Sequence, residues 1–163
     1  MEKMNFDFYA RPAEIVAKAI LNGKIIKKLP VGDLKGIILE TGAYQGGSAT
    51  KSRKGMLYKP GTIFLMPFRG LTSLNISTDK EYFASCVEIR AAEFNGQIID
   101  TPYRLAKFLS LDCKNPAKNL DGKLLGEELC IEPPEKHLSN SQITVSKPRI
   151  KSDNCIAYYR FKA

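Results

Sequence analysis

The sequence lacks any long apolar segment. No uninterrupted run of apolar residues approaches the roughly 18 that a membrane-spanning helix needs. The opening stretch MEKMNFDFYARPAE has an acid at position 2 and lacks the apolar core of a secretion signal. Hydrophobic residues nevertheless make up 44% of the 163 residues, which is enough for a sizeable buried core. We therefore expect a single domain, residues 1–163, in the cytoplasm and without a membrane partner.

Metal-binding patterns are lacking as well. The cysteines lie 27, 17 and 25 residues apart, at Cys86, Cys113, Cys130 and Cys155. The sequence has no Cys-x-x-Cys pair and one histidine, so we expect reduced cysteines and no metal site. A glycine-rich phosphate loop and a nucleophile elbow are also absent from the sequence. Any catalysis would therefore depend on carboxylates and positioned polar groups.

One long segment has no acidic residue. Residues 43–78 contain no Asp or Glu, whereas the whole chain has a formal net charge of +8. The cations of this segment are Lys51, Arg53, Lys54, Lys59 and Arg69. Cations without neighbouring acids suit phosphate groups, because binding then releases condensed counterions. The segment predicts a polyanionic partner, and a solvated basic loop is the alternative explanation.

The order of predicted elements indicates the fold class. Apolar spacing, a proline in the first turn and a threonine N-cap predict helices over 11–23 and 101–111. Strands are predicted over 23–29, 34–40, 60–68, 71–77, 85–93, 129–132, 143–146 and 155–162. Helices and strands do not alternate regularly. This order favours an α+β fold in which flanking helices cover a curved, mostly antiparallel sheet.

Several segments, in order, resemble the alkyladenine (3-methyladenine) DNA glycosylases of the mammalian type. They are ARPAEIVAKAILNGKII, ILETGAYQG, SRKGMLYKPGTIFL, LNIS, CVEIRAAE, NPAK with NLDGKLL, and PRI with YRF. The chain is shorter than this family between Lys118 and Asn119 and near its C-terminus. The resemblance implies a base-excision repair enzyme that works as a monomer, nucleoid-associated in a prokaryote. Such an enzyme flips an alkylated purine out of duplex DNA and hydrolyses its N-glycosidic bond without a cofactor.

The resemblance also implies roles for individual residues. Tyr44 matches a tyrosine that stacks on the flipped base, Asn75 a gatekeeper beside the base pocket, and Arg90 an arginine that helps to hold the attacking water. Phe68 or Arg69 would intercalate, and Phe68 is the better wedge because an apolar ring can replace lost stacking. Further DNA contacts are expected at Arg53, Lys54 and Lys59.

Two positions depart from the family pattern. The catalytic glutamate of the family is Gly42 here, and the histidine that packs on the flipped base is Lys51. Glu40 is one candidate for a replacement catalytic base, but it lies about 6.5 Å along a strand from position 42 and matches an acid that is not the base in the family. A structural role at the strand end is the alternative for Glu40. Glu88 should share a strand face with Arg90, either as a relocated base or as a salt-bridge partner.

Three functions remain open on these observations. Losing a general base typically costs about 10²–10⁴-fold in rate. Purines alkylated at N3 or N7 carry a positive charge and leave more easily, so a glycosylase narrowed to 3-methyladenine and 7-methylguanine is one hypothesis. An inactive relative that binds DNA or damaged DNA is the second. An RNA-binding or unrelated role on the inherited scaffold is the third.

Overall fold

The structure is a computed structural model that describes residues 6–45, 58–80, 83–148 and 155–162. Three predicted site residues, Lys51, Arg53 and Lys54, lie outside the described residues. The helices are α1 (Phe6–Tyr9), α2 (Ala13–Ala19) and α3 (Pro102–Phe108). The strands are β1 (Lys24–Lys27), β2 (Leu34–Tyr44), β3 (Ile63–Phe68), β4 (Leu71–Thr78), β5 (Ser85–Phe94), β6 (Gln97–Asp100), β7 (Leu129–Glu132), β8 (Ile143–Ser146) and β9 (Cys155–Phe161).

The strands form one curled sheet in which the pairings are antiparallel. Its main path runs β3-β4-β5-β2-β1-β7, while β6 extends from β5 and β9 joins β2 to β8. The predicted α+β class and curved antiparallel sheet are confirmed. Within the described ranges, no helix has the length and apolar character to cross a bilayer.

Strand β2 connects two parts of this sheet. Its residues 34–37 pair with β1, its residues 40–44 pair with β9, and β5 lies along its other edge. The register shifts on both sides of Glu40. Irregularities of this kind bend a strand and redirect its side chains, so Glu40 lies where the sheet changes its neighbours.

The hydrophobic core lies under helix α2. Its side chains Val16 and Ala17 are fully buried, and the hydroxyl of Thr41 donates to the carbonyl of Ala17 at 2.8 Å. This contact fixes the helix against β2. The helix is shorter than the predicted span 11–23, because Pro12 is its N-cap and Ile20 its C-cap, and Asn22 beyond it has a left-handed φ of 66°.

Two local sequence features determine the β3–β4 turn and the start of helix α3. The β3–β4 hairpin turns at Arg69 and Gly70, whose φ values of 48° and 82° are those of a two-residue type I′ turn. Helix α3 begins as predicted, because the hydroxyl of Thr101 accepts a hydrogen bond from the Arg104 amide at 3.4 Å. The helix packs against β4 and β5 and brings Tyr103 to the hairpin.

Candidate active site

Four residues face one another in a row across four strands. Asn75 of β4 opposes Glu88 of β5, Glu88 opposes Gly42 of β2, and Gly42 opposes Tyr158 of β9. Opposed residues of antiparallel strands present their side chains on the same face. Their neighbours along the strands alternate to the other face, where Ala43, Val87 and Ile89 belong to the core. We call these four residues the cross-strand row.

Glu88 is the acid of the cross-strand row. It is 7% exposed, and its Oε1 accepts hydrogen bonds from the Tyr44 hydroxyl at 3.3 Å and from Nη1 of Arg90. Burial raises the pKa of the Glu88 carboxyl, and the charge of Arg90 and hydrogen bonds from Arg90, Tyr44 and Ser73 oppose that shift. A raised pKa makes the ionised form a stronger proton acceptor.

Glu40 is held differently. Its Oε1 accepts from Nε of Arg90 at 2.9 Å, and its Oε2 accepts from Nη1 of Arg160 at 2.8 Å. Arg160 extends the network to Asp100, with 3.4 Å between the charged atoms. Both carboxylate oxygens of Glu40 are therefore engaged with arginine side chains.

Arg90 lies between the two acids and against an aromatic ring. Its guanidinium carbon is 3.7 Å from the centroid of Tyr158. Burial lowers the pKa of Arg90. The charge of Glu88 and the hydrogen bond to Glu40 raise it by more than burial lowers it, so the net shift of the pKa is upward. Arg90 therefore stays charged, and the salt bridge to Glu88 that the sequence left open is present.

Tyr44 and Asn75 approach Glu88 from neighbouring strands. Burial, followed by the charge of Glu88, raises the pKa of the Tyr44 phenol, so this side chain stays neutral. Asn75 is 2% exposed, and its amide donates to the Ser73 hydroxyl at 3.1 Å. The structure thus gathers Tyr44, Asn75, Glu88 and Arg90 on one face of the sheet.

The predicted DNA-contacting residues that the structure describes lie outside this cluster. Phe68 and Arg69 are at the tip of the β3–β4 hairpin, and Lys59 is exposed before β3. Phe68 is 48% exposed and stacks on Tyr103, with ring centroids 6.1 Å apart and planes at 14°. The guanidinium of Arg69 lies 5.2 Å from the centroid of Phe68. The tip therefore presents an apolar ring beside a cation.

Sequence reasoning missed four residues of this region. They are Tyr103, Lys114, Tyr158 and Arg160. The stretch CIAYYRF contained a usable signal, because its strand pattern puts Tyr158 and Arg160 on one face. The pairing of β9 with β2, which brings that face to Gly42, could not be derived from the local pattern.

Comparisons with known proteins identify the family of this chain. A family model described as methylpurine-DNA glycosylase matches residues 7–162. The human DNA-3-methyladenine glycosylase is 32% identical over 105 residues, which are 57% of this chain and 35% of the human protein. The mouse protein of that name is 33% identical over 99 residues, 53% of this chain and 29% of its own. A relative from Methanocella arvoryzae is 34% identical over 97 residues, 53% of this chain and 48% of its own. The matched regions thus span half or less of each relative.

Proposed function

This chain belongs to the methylpurine-DNA glycosylase family, and from that premise we propose that it excises alkylated purines from duplex DNA by hydrolysing the N-glycosidic bond. The proposal assigns the site to the face that holds the cross-strand row. It must explain how the reaction proceeds although the resemblance puts Gly42 at the position of the family's catalytic glutamate.

The supporting observation is a buried carboxylate directly beside position 42. Glu88 and Gly42 oppose each other across β5 and β2, and opposed side chains of antiparallel strands are separated by about 4.5–5.5 Å. Under this proposal, Glu88 on β5 takes the place of an acid that β2 lacks at position 42, because the two positions are adjacent. We assign Glu88 the role of the general base that activates water.

The hydrogen bonds of Glu88 leave room for a water molecule. An ionised carboxylate offers about four acceptor positions, and Tyr44, Arg90 and Ser73 engage this carboxylate. A remaining position can accept the attacking water and orient it towards the sugar carbon. In this proposal Glu40 positions Arg90 rather than accepting the proton, because arginines engage both of its oxygens.

The chemistry of the site suits cationic purines. A purine methylated at N3 or N7 already carries positive charge, so the leaving base needs no added proton. The electron-rich face of neutral Tyr44 attracts such a ring, and the charge of Glu88 stabilises the positive charge that develops on the sugar. We therefore propose 3-methyladenine and 7-methylguanine as substrates.

The β3–β4 hairpin is the part that we propose to enter the DNA. Phe68 would replace the stacking that the flipped base loses, while Arg69 would contact the adjacent backbone. Lys114 provides a cation close to the turn, because a Cβ on Gly70 would be 3.2 Å from its Nζ. Exposed Lys59, which precedes β3 at the other end of the hairpin, is proposed as a separate phosphate contact. Partly exposed Phe68 is available for this role.

The experiment measures release of 3-methyladenine and 7-methylguanine from methylated duplex DNA by mass spectrometry. Wild-type protein should release both bases above a buffer control, and Glu88→Gln should lower the rate by about 10²–10⁴-fold. Glu93→Gln is the matched control, because Glu93 lies on the same strand β5 and opposes Ile37 rather than Gly42. Equal rates for wild type and Glu88→Gln would exclude Glu88 as the base.

A second function is favoured by Gly42 itself, a glycine where the resemblance places the family's catalytic acid. An inactive relative would bind a flipped nucleotide without cleaving the bond. It should bind a duplex with an abasic-site analogue more tightly than an undamaged duplex, in a salt-dependent manner. Wild-type base release that never exceeds the buffer control, together with such binding, would replace the glycosylase proposal with this one.

A further inference from the structure

We infer that Gly42 and Tyr158 are a matched pair, in which the bare backbone of Gly42 lets the Tyr158 ring hold Arg90 against Glu88. Tyr158 is then a positioning residue for the proposed base. This inference rests on the proposed function in one respect only, namely that the Glu88–Arg90 contact matters for catalysis. The pairing itself concerns the free protein and can be measured without any activity.

A side chain at position 42 would be tight against two neighbouring side chains. A Cβ on Gly42 would lie 3.0 Å from Cδ1 of Tyr158, 3.2 Å from its Cε1 and 3.2 Å from Cδ of Arg90. Ordinary contacts between carbon atoms are about 3.5–4.0 Å. Gly42 does not have a positive φ, so its backbone conformation alone does not require glycine. The structure favours glycine here because any side chain would have to displace the Tyr158 ring or the Arg90 stem by a few tenths of an ångström.

Tyr158 uses that space to cover Arg90. The guanidinium carbon lies 3.7 Å from the ring centroid, while Nε binds Glu40 at 2.9 Å and Nη1 binds Glu88. One face of the guanidinium is therefore stacked and two of its nitrogens are bonded. These contacts fix both the position and the plane of the group, so loss of the ring would free it to turn away from Glu88.

An aromatic ring over a glycine of the neighbouring strand can also be a purely structural device, which protects exposed backbone in a sheet. A ring with that structural role alone would affect neither the position of Arg90 nor the ionisation of Glu88. The two explanations differ in their effect on the ionisation of Glu88. Arg90 opposes the upward shift that burial causes in the pKa of Glu88, so weakening the contact should raise that pKa further.

The other groups around Glu88 do not supply an alternative charge. Tyr44 and Ser73 hydrogen-bond to it, and Tyr103, Tyr158 and Cys155 also lie within its electrostatic range. Burial is the largest influence on Tyr44, Tyr103, Tyr158 and Cys155, and it raises the pKa of each, so that they are neutral near pH 7. Arg90 is the positive group in contact with Glu88, and a change in its position dominates the titration.

The first test is a double-mutant cycle on the free protein. Gly42→Ala should lower the unfolding temperature by about 2–4 °C, the shift expected for about 1 kcal/mol in a chain of this size. In the Tyr158→Ala background, Gly42→Ala should leave the unfolding temperature unchanged or raise it, since alanine is better than glycine in a strand with space. Additive changes would overturn the matched pair.

The second test follows the Glu88 carboxyl by carbon-13 NMR titration, assigned with Glu88→Gln. Tyr158→Leu should shift its midpoint upward by half a unit or more, or about threefold in the proton-binding constant. Tyr158→Phe keeps the ring and should restore the wild-type midpoint. Phe161→Leu, on the same strand, is the control and should cause no shift. If Tyr158→Leu fails to fold, Tyr158→Met replaces it with the same expectation.

These outcomes separate the inference from the proposed function. An unchanged Glu88 midpoint in Tyr158→Leu overturns the positioning role, even if the wild-type protein releases methylated bases. A shift in Tyr158→Phe as large as that in Tyr158→Leu also overturns it, because the hydroxyl rather than the ring would then matter. An upward shift with non-additive unfolding supports the inference, even if base release fails and the glycosylase proposal is lost.

Discussion

The two halves of strand β2 each contain a glycine beneath an aromatic ring, and they use it differently. A Cβ on Gly36, in the first half, would lie 2.5–2.8 Å from atoms of Phe94. Phe94 is 5% exposed and packs on Phe108 with ring centroids 4.7 Å apart. Gly42, in the second half, is covered by half-buried Tyr158 and by Arg90. Gly36 thus allows Phe94 to pack in the core, whereas Gly42 makes room for the ring of Tyr158 and the charged side chain of Arg90.

The difference follows from the neighbours of each half. Before the irregularity at Glu40, β2 pairs with β1, and after it β2 pairs with β9. The second half thereby gains Tyr158 and Arg160, and with them the network that joins Glu40, Arg90 and Glu88. One continuous strand can thus contribute to the core at one end and to the proposed active site at the other. The change of pairing partner at the irregularity beside Glu40 separates these two parts of β2.

The largest effect is expected for Arg90→Leu in the second half. Removing one partner of a buried ion pair typically costs about 3–5 kcal/mol, and Glu88 is the buried partner here. Base release should also fall by about 10²–10³-fold, as when a preorganised charge contact is lost. Thermal unfolding and base release measure the two effects. Lys35→Leu, an exposed change in the first half, should stay within about 0.5 kcal/mol.

The Arg90→Leu defect should depend on pH with a definite sign. Burial raises the folded-state pKa of Glu88 above its unfolded value, so ionisation of Glu88 costs stability as the pH rises through the folded-state pKa. Without Arg90 this cost grows. The difference in unfolding temperature between wild type and variant should therefore widen as the pH rises and narrow in acid. A difference that is constant between about pH 4 and pH 8 would contradict this role of Glu88.

A smaller effect distinguishes the two glycines directly. Gly36→Ala should cost about 1–3 kcal/mol, as overpacking of a well-packed core does, because Phe94 cannot move without disturbing Phe108. Gly42→Ala should cost less, since Tyr158 and Arg90 are half-buried and can shift. For base release the order should reverse, with Gly42→Ala more harmful than Gly36→Ala. If Gly36→Ala and Gly42→Ala change stability and base release in the same proportion, the two halves of β2 do not differ in the way described.

Much of the site was predictable because its residues lie in local motifs. The predicted strands 71–77 and 85–93 held Asn75 and Arg90, and alternation put Glu88 on the face of Arg90. Tyr44 lies beyond the predicted strand 34–40, because β2 continues to Tyr44. The exact partners of these residues were not predictable. The choice between a relocated base and a salt-bridge partner depends on burial and on Tyr44, and neither is visible in the spacing within β5.

Other features required long-range information or were overlooked. Arg160 bonds to Glu40 across 120 residues of sequence, so its role depends on strand pairing that no local pattern specifies. By contrast, strand β6 had a local signal, because Asn95 and Gly96, with φ values of 50° and 83°, form the turn that an Asn-Gly pair favours. The packing at Gly42 also needed coordinates, since the sequence shows a glycine but not the ring above it.

The smallest effect is expected at the outer end of the charged network, with Asp100→Asn. Asp100 has a 53% exposed side chain and lies 3.4 Å from Arg160, and exposed pairs of this kind contribute about 0–1 kcal/mol. Arg160 keeps its 2.8 Å contact with Glu40 in this variant, so Arg90 should stay in place. Base release should therefore change by less than about fivefold, the equivalent of 1 kcal/mol. A loss as large as that of Arg90→Leu would mean that the second half of β2 depends on its solvent-exposed charges as strongly as on its buried ones.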